Sequence, residues 1–216
     1  EHENIIRIDV DNSKQPNSRW YSGSGIYRDV NLWTGKDVYI SHDKLRITTL
    51  SVNDDMAVLE VCAQLKNIIG HGLEAECLIE IKKDGQKTAS DTQRVVFRSE
   101  QMQTVRVQIP IEHPKKWSPK QPALYECHIT TKFDDKICDE AVSNFGIRVL
   151  ALDPVRGLQI NGETVKLRGT CIHHDNGVIG AETFKEAEWY RCKRLKEAGF
   201  NAIRSAHNPA SIHLLK

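Results

Sequence analysis

Between Leu45 and Ile147, apolar side chains return at every second position in one run after another, with turn residues between the runs. A period of two belongs to a strand with one face buried and cannot be satisfied by a helix. Leu45, Ile47 and Thr49 make one run, and Val58, Val61, Ala63 and Leu65 follow. Leu73, Ala75, Cys77, Ile79 and Ile81 come next, then Val105, Val107 and Ile109, then Tyr125, Cys127, Ile129 and Thr131. Lys83-Asp84-Gly85-Gln86 is a hairpin turn by its chemistry, and Asp134-Asp135 turns the chain into Ile137 to Ile147. About seven or eight short strands at near-regular spacing predict a β-sandwich. A further β-rich run, Ile5, Ile6, Ile8 and Val10, precedes it and ends in the polar stretch Asp11 to Asn17.

Composition removes several alternatives. The chain has 216 residues, 39% hydrophobic and 27% charged, which suits a folded chain with a real core and argues against disorder. The net charge of +1 gives no electrostatic footprint for nucleic acid or an anionic membrane. No apolar run approaches the roughly 18–20 residues of a membrane span. The first residues lack the pattern of a signal peptide, and the compartment stays open. Six cysteines form no C-x-x-C pair and show no metal-ligand spacing. Cys62, Cys77 and Cys127 lie among alternating apolar residues, so the expectation is buried free thiols.

The pattern changes near Asp153-Pro154, where Pro154 and Gly157 punctuate the chain as a linker would. Leu158 to Ile160, Asn161-Gly162 and Thr164 to Leu167 read as a tight hairpin. A helix should then begin at Thr183, with Glu186 completing a capping box. Phe184, Ala187, Tyr190, Leu195 and Ala198 supply its apolar stripe, Lys193, Arg194 and Lys196 suit its C-terminal end, and Gly199 stops it. Phe200 to Ile203 reads as a short buried strand. Strand, loop, helix and strand make one βαβ unit, far short of a closed barrel. A second helix begins near Leu214-Leu215. The expectation is therefore a piece of a longer chain.

The residues that could carry chemistry sit just beyond the two strands of that unit. Cys171-Ile172-His173-His174-Asp175 follows the strand Val165–Arg168, and Arg204-Ser205-Ala206-His207-Asn208-Pro209 follows Asn201–Ile203. In a parallel α/β barrel both segments fall at the C-terminal ends of adjacent strands, where barrel enzymes place their sites. His173, His174, Asp175, Arg204, His207 and Asn208 then share one rim. The plainer reading is that these polar residues cap helices and satisfy turns. A metal site of His173, His174, Asp175 and His207 is a weaker alternative, because its spacing matches no strong ligand pattern. Trp20-Tyr21 beside Gly23 and Gly25 could stack on a sugar or pack between domains. Trp117-Ser118-Pro119 with Pro122 reads as a fixed turn into a strand.

Four motifs in this order resemble glycoside hydrolase family 2, which includes β-galactosidases, β-glucuronidases and β-mannosidases. Asn17 to Val30, NSRWYSGSGIYRDV, resembles the end of that family's jelly-roll domain. Trp117-Ser118-Pro119 with Leu124-Tyr125, then FGIR at 145–148, is similar to the end of its immunoglobulin-like domain. Asn161-Gly162 with LRGTCIHHD at 167–175 resembles the hairpin and first barrel strand, and NAIRSAHNP at 201–209 the signature on the second. The resemblance implies a mainly β fold: residues 1–36 the tail of a jelly-roll sugar-binding domain, 37–150 an immunoglobulin-like β-sandwich, and 151–216 the start of a (β/α)8 TIM barrel.

It also implies a retaining glycosidase with two catalytic glutamates, roughly 5–5.5 Å apart, on later strands beyond Lys216. By motif match, His173 and His207 are the histidines that contact the sugar, with Asp175 and Asn208 beside them. Arg204 is the arginine that orients the nucleophile and holds it ionised. The motif style favours a β-galactosidase, with β-glucuronidase or β-mannosidase as the alternative. A non-catalytic carbohydrate-binding or assembly module is the reading outside enzymes. Asn208 stands where Tyr is frequent, and His174-Asp175 follows the first histidine where Glu is frequent. Arg19 takes the place of an aspartate that reaches the site from the jelly-roll loop in several members. The expected partner is a carbohydrate substrate, with neither nucleic acid nor membrane, and a homo-oligomer is open. No metal is placed on these residues, although the whole enzyme could bind magnesium through later ones.

Overall fold

The computed structural model describes residues 4–14, 25–98 and 101–215. The chain divides into two compact units. Residues 33–166 form one, and residues 1–32 together with 167–216 form the other.

The first unit contains the sandwich. β1 (Val38–Ile40), β2 (Arg46–Val52), β3 (Met56–Asn67) and β4 (Leu73–Lys83) are followed by β5 (Gln86–Phe97), β6 (Met102–Glu112), β7 (Tyr125–Phe133) and β8 (Lys136–Phe145). Among the described residues they make two four-stranded antiparallel sheets. In one, β3 is central, with β6 along one edge and β1 and β2 along the other. The other runs β5-β4-β7-β8. The alternation decides which faces meet. Ala57, Leu59, Val61, Ala63 and Leu65 of β3 are wholly buried, and so are Cys77, Ile79 and Ile81 of β4 and Cys127 of β7. The expected turns form with the left-handed backbone their chemistry requires: Asp84-Gly85 between β4 and β5, and Asp134-Asp135 between β7 and β8.

β1 ties the two sheets together. It pairs with β3, yet the buried Thr131 hydroxyl on β7 donates to the Val38 carbonyl at 2.8 Å. The Ile40 amide donates to the Asp139 carboxylate on β8, also at 2.8 Å. The first bond is buried and the second partly so, and each polar group has its partner.

One cysteine departs from its expected place. Cys62 lies on the outer face of β3, half-buried and beside Arg46 and Arg106 in the ladder, whereas Cys138 on β8 is buried. In β3 the apolar run includes both Val58 and Val61, so its parity is ambiguous until the sheet forms. All six cysteines are free. The run Ile5 to Val10 forms no strand; its isoleucines are exposed, because no described strand offers it a ladder.

The segment around Pro154 is a turn inside a small sheet. β9 (Leu150–Asp153) pairs with β10 (Gly157–Ile160), and β10 with β11 (Glu163–Thr164). Asp153 closes the first turn by accepting the amides of Val155 and Arg156. Asn161-Gly162 makes the second in the left-handed region. Asn161 also joins this sheet to the sandwich, because its side chain donates to the Trp117 carbonyl at 2.9 Å and accepts the Val149 amide at 3.1 Å. Trp117 is the hub: its amide donates to the Ile147 carbonyl, and the Arg148 guanidinium lies 4.2 Å over its ring. Gly146 lies so close under the indole that a Cβ there would meet the Trp117 Cβ and Cγ at 2.8 Å.

Gly146→Ala should therefore force Trp117 off its seat and destabilise the unit by about 1–3 kcal/mol, the usual cost of overpacking, read as a lower urea midpoint. An unchanged midpoint would show that the indole can yield. The thiols give a second expectation. Burial pushes Cys77 and Cys127 up to about 12, from the ordinary 9.0. The unfolded thiols ionise from about pH 9 while the folded ones keep their protons, so stability should fall between pH 9 and 12 and be untouched by them below. In the native state Cys171, which is exposed, should react first with an aromatic disulfide, and Cys77 and Cys127 last. Rapid labelling of Cys77 at pH 8 would contradict their burial.

Candidate active-site rim

The second unit is built around a parallel pair, β12 (Gly169–Ile172) and β13 (Ala202–Ser205), with Cys171 opposite Arg204. The first strand begins later than expected: Val165 instead donates its amide to the Leu158 carbonyl of the small sheet. His173 therefore follows directly from the last paired residue of β12. The ladder is fastened at both ends. Arg168 and Asn201 exchange two bonds at its start, the Arg168 amide to the Asn201 side chain at 2.7 Å and the Asn201 amide to the Arg168 carbonyl at 3.0 Å. At its far end the Ala206 amide donates to the Ile172 carbonyl at 2.9 Å. β13 was expected to be buried, but Ile203, Arg204 and Ser205 are exposed, since the described residues cover little of this two-stranded sheet.

Between the strands runs α1 (Lys185–Glu197). Its N-cap is Phe184, without a side-chain bond, so the expected box of Thr183 and Glu186 does not form. The expected apolar stripe is also displaced: Phe184 and Tyr190 are exposed, while Glu188 is buried at 3% exposure. The inward side of the helix is Ala187, Glu188, Arg191, Cys192 and Leu195. α2 (Ile212–Leu215) starts where a second helix was expected.

Beyond the strand ends the rim residues come together as follows. The His173 and His207 rings stand edge to face, with centroids 5.7 Å apart. His174 accepts the Asn208 amide through Nδ1 at 2.8 Å, and Tyr27 packs at 5.3 Å from its ring. Arg204 is exposed on β13, with Nη1 3.8 Å from the Cys171 sulfur. Asp175 is half-buried, and its carbonyl is held by Arg191. The 208 carbonyl accepts the Ser205 hydroxyl at 2.8 Å, which tightens the turn after β13. Arg19 lies outside the described residues, as do Trp20, Tyr21 and Gly23.

Several residues at this rim were not singled out from the sequence. Arg28 donates to the Pro209 carbonyl at 2.9 Å and lies over the Tyr27 ring, and Asp29 meets His213 at 3.0 Å. Tyr27, Arg28 and Asp29 fall inside the Asn17 to Val30 motif, so the motif held the signal although no spacing rule exposes it. Among the described residues no three His, Cys, Asp or Glu side chains could hold a metal ion together. No helix among the described residues is long and apolar enough to cross a membrane.

Comparison with known proteins agrees with this architecture. The sequence profile for glycosyl hydrolases family 2 matches residues 38–148. A β-galactosidase of Bacteroides ovatus is 32% identical over 98% of this chain and 25% of its own length. A β-glucuronidase of Bacteroides fragilis is 28% identical over 88% of this chain and 28% of its own. A crystal structure of a glycosyl hydrolase family 2 member from Bacteroides cellulosilyticus superposes with a TM-score of 0.87 at 35% identity, covering 95% of this chain and 28% of that one. The chain belongs to glycosyl hydrolases family 2 and is mainly β, and it spans roughly a quarter of the length of these relatives.

The Asn208–His174 bond fixes a tautomer. An amide nitrogen can only donate, so Nδ1 accepts and the proton of the neutral ring sits on Nε2. Asn208→Asp should reverse this, because a carboxylate can only accept. The ring ¹⁵N shifts of His174 read the change, and identical shifts in both proteins would mean that the two side chains do not meet.

Proposed function

We propose that this chain is part of a retaining glycoside hydrolase that removes terminal β-linked sugars, with β-galactosides as the favoured substrate. The observation that carries the reading is the pair of histidines, His173 and His207, 5.7 Å apart at the ends of adjacent parallel strands, with Arg204 on the second of those strands. Parallel strands deliver side chains to one rim, which is the position of the site in α/β barrels. The domain assignment of residues 1–36, 37–150 and 151–216 belongs to the same reading, as does a second barrel strand carrying Arg204.

In this reading neutral His173 and His207 bond sugar hydroxyls, and those bonds strengthen as the ring takes on oxocarbenium character. Asp175 and Asn208 flank them. The Asn208 amide is already engaged by His174, so its contribution to the sugar is indirect. Arg204 pairs with the nucleophilic glutamate of a later strand, lowering its pKa and fixing its rotamer through a bidentate fork. Its guanidinium is exposed, with Nη1 3.8 Å from the Cys171 sulfur, which leaves the fork available. The names of the relatives divide between β-galactosidase and β-glucuronidase, so a glucuronide is the substrate that competes.

Assay of the whole protein on a panel of aryl β-glycosides tests the reading, with the galactoside expected to be the best substrate. In that protein Arg204→Ala should lower kcat by roughly two to three powers of ten, with a smaller rise in KM, since an unpaired carboxylate is both less ionised and less well oriented. The acidic limb of the pH–rate profile should move up, because desolvation without the cation raises the nucleophile's pKa. Arg204→Lys should rescue only in part. A folded Ala variant with near-normal kcat and an unmoved acidic limb would make Arg204 structural.

A further inference from the structure

The inward side of α1 carries two charged residues, Glu188 and Arg191, among Ala187, Cys192 and Leu195, and these two reach the two rim loops. Arg191 spreads its guanidinium across the first. Nη1 donates to the His173 carbonyl at 3.1 Å and Nη2 to the Asp175 carbonyl at 3.0 Å. Its Nε faces the Glu188 carboxylate at 3.8 Å, one helical turn back, and both side chains are largely buried. The other Glu188 oxygen lies 3.4 Å from the buried Ser211 hydroxyl in the second loop. Ser211 in turn accepts the Leu214 amide and so opens α2. A rigid fork with two donors on two carbonyls fixes a backbone in a way a single ammonium cannot. A buried carboxylate without its cation would be strongly unfavourable, so Glu188 and Arg191 hold each other in place.

From this geometry we infer that Arg191, seated by Glu188, is a positioning residue of the site. It sets the backbone that presents His173, His174 and Asp175, and through Glu188 and Ser211 it ties both rim loops to one helix. The inference rests on the proposed glycosidase reading for its kinetic consequence, although not for its structural one. A displacement of about 1 Å in such a loop costs on the order of 100-fold in rate.

The test uses the whole protein with Arg191→Ala, Arg191→Lys and Glu188→Gln, and reads two quantities. Aryl β-glycoside kinetics should show kcat/KM lower by about 10- to 100-fold in Arg191→Ala, mostly in kcat, with little rescue by Lys. Backbone hydrogen exchange should quicken over residues 173–176 in both Arg191 variants, and over 173–176 and 207–213 together in Glu188→Gln, while β12 and β13 keep their protection. If the Ala variant does not fold, Arg191→Lys carries the same test. A merely structural Arg191 would lower Tm and leave kcat per folded molecule unchanged. That result, or unchanged exchange over 173–176, overturns the inference. If the unsubstituted protein cleaves no aryl β-glycoside, the proposed function fails separately, and the exchange data alone decide the role of Arg191.

Discussion

The parallel register of Gly169–Ile172 against Ala202–Ser205 is the constraint from which the rim follows. Parallel strands cannot be joined by a tight turn, so the chain must cross over, and α1 is that crossover. Once Cys171 stands opposite Arg204, the next residues of both strands emerge side by side, and the His173 and His207 rings meet. A slip of one residue would turn Arg204 to the other face. The Arg168–Asn201 exchange at one end and the Ala206–Ile172 bond at the other guard against it.

The sandwich was legible in the sequence because a half-buried strand has one period and its turns have one chemistry. Leu73, Ala75, Cys77, Ile79 and Ile81 alternate without exception, and all are buried. Cys62 was misplaced because the apolar residues of β3 occupy both parities, and only packing against the second sheet decides which face is covered. The run from Ile5 to Val10 has β propensity but no described partner, and propensity without a ladder makes no strand.

The rim was legible in part. The strand-then-polar-cluster pattern located His173, His174, Asp175, Arg204, His207 and Asn208, and the structure brings His173 together with His207 and His174 together with Asn208. Helical periodicity failed on α1 for a definite reason. It ranks faces by apolar content, whereas the inward face here is chosen by loop carbonyls that need donors. Arg28 escaped notice for a related reason: its partner is a backbone carbonyl far along the chain, and a sequence marks no such acceptor.

The central claim is that these two strands hold one face of a sugar subsite. The most direct measurement is a crystal structure of the whole protein trapped with a 2-deoxy-2-fluoro-β-galactoside, which forms the glycosyl-enzyme bond and stalls its release. His173 and His207 nitrogens should lie about 3 Å from sugar hydroxyls, with Arg204 on the carboxylate that carries the sugar. A trapped sugar whose contacts include neither histidine, or a nucleophile distant from Arg204, would contradict it.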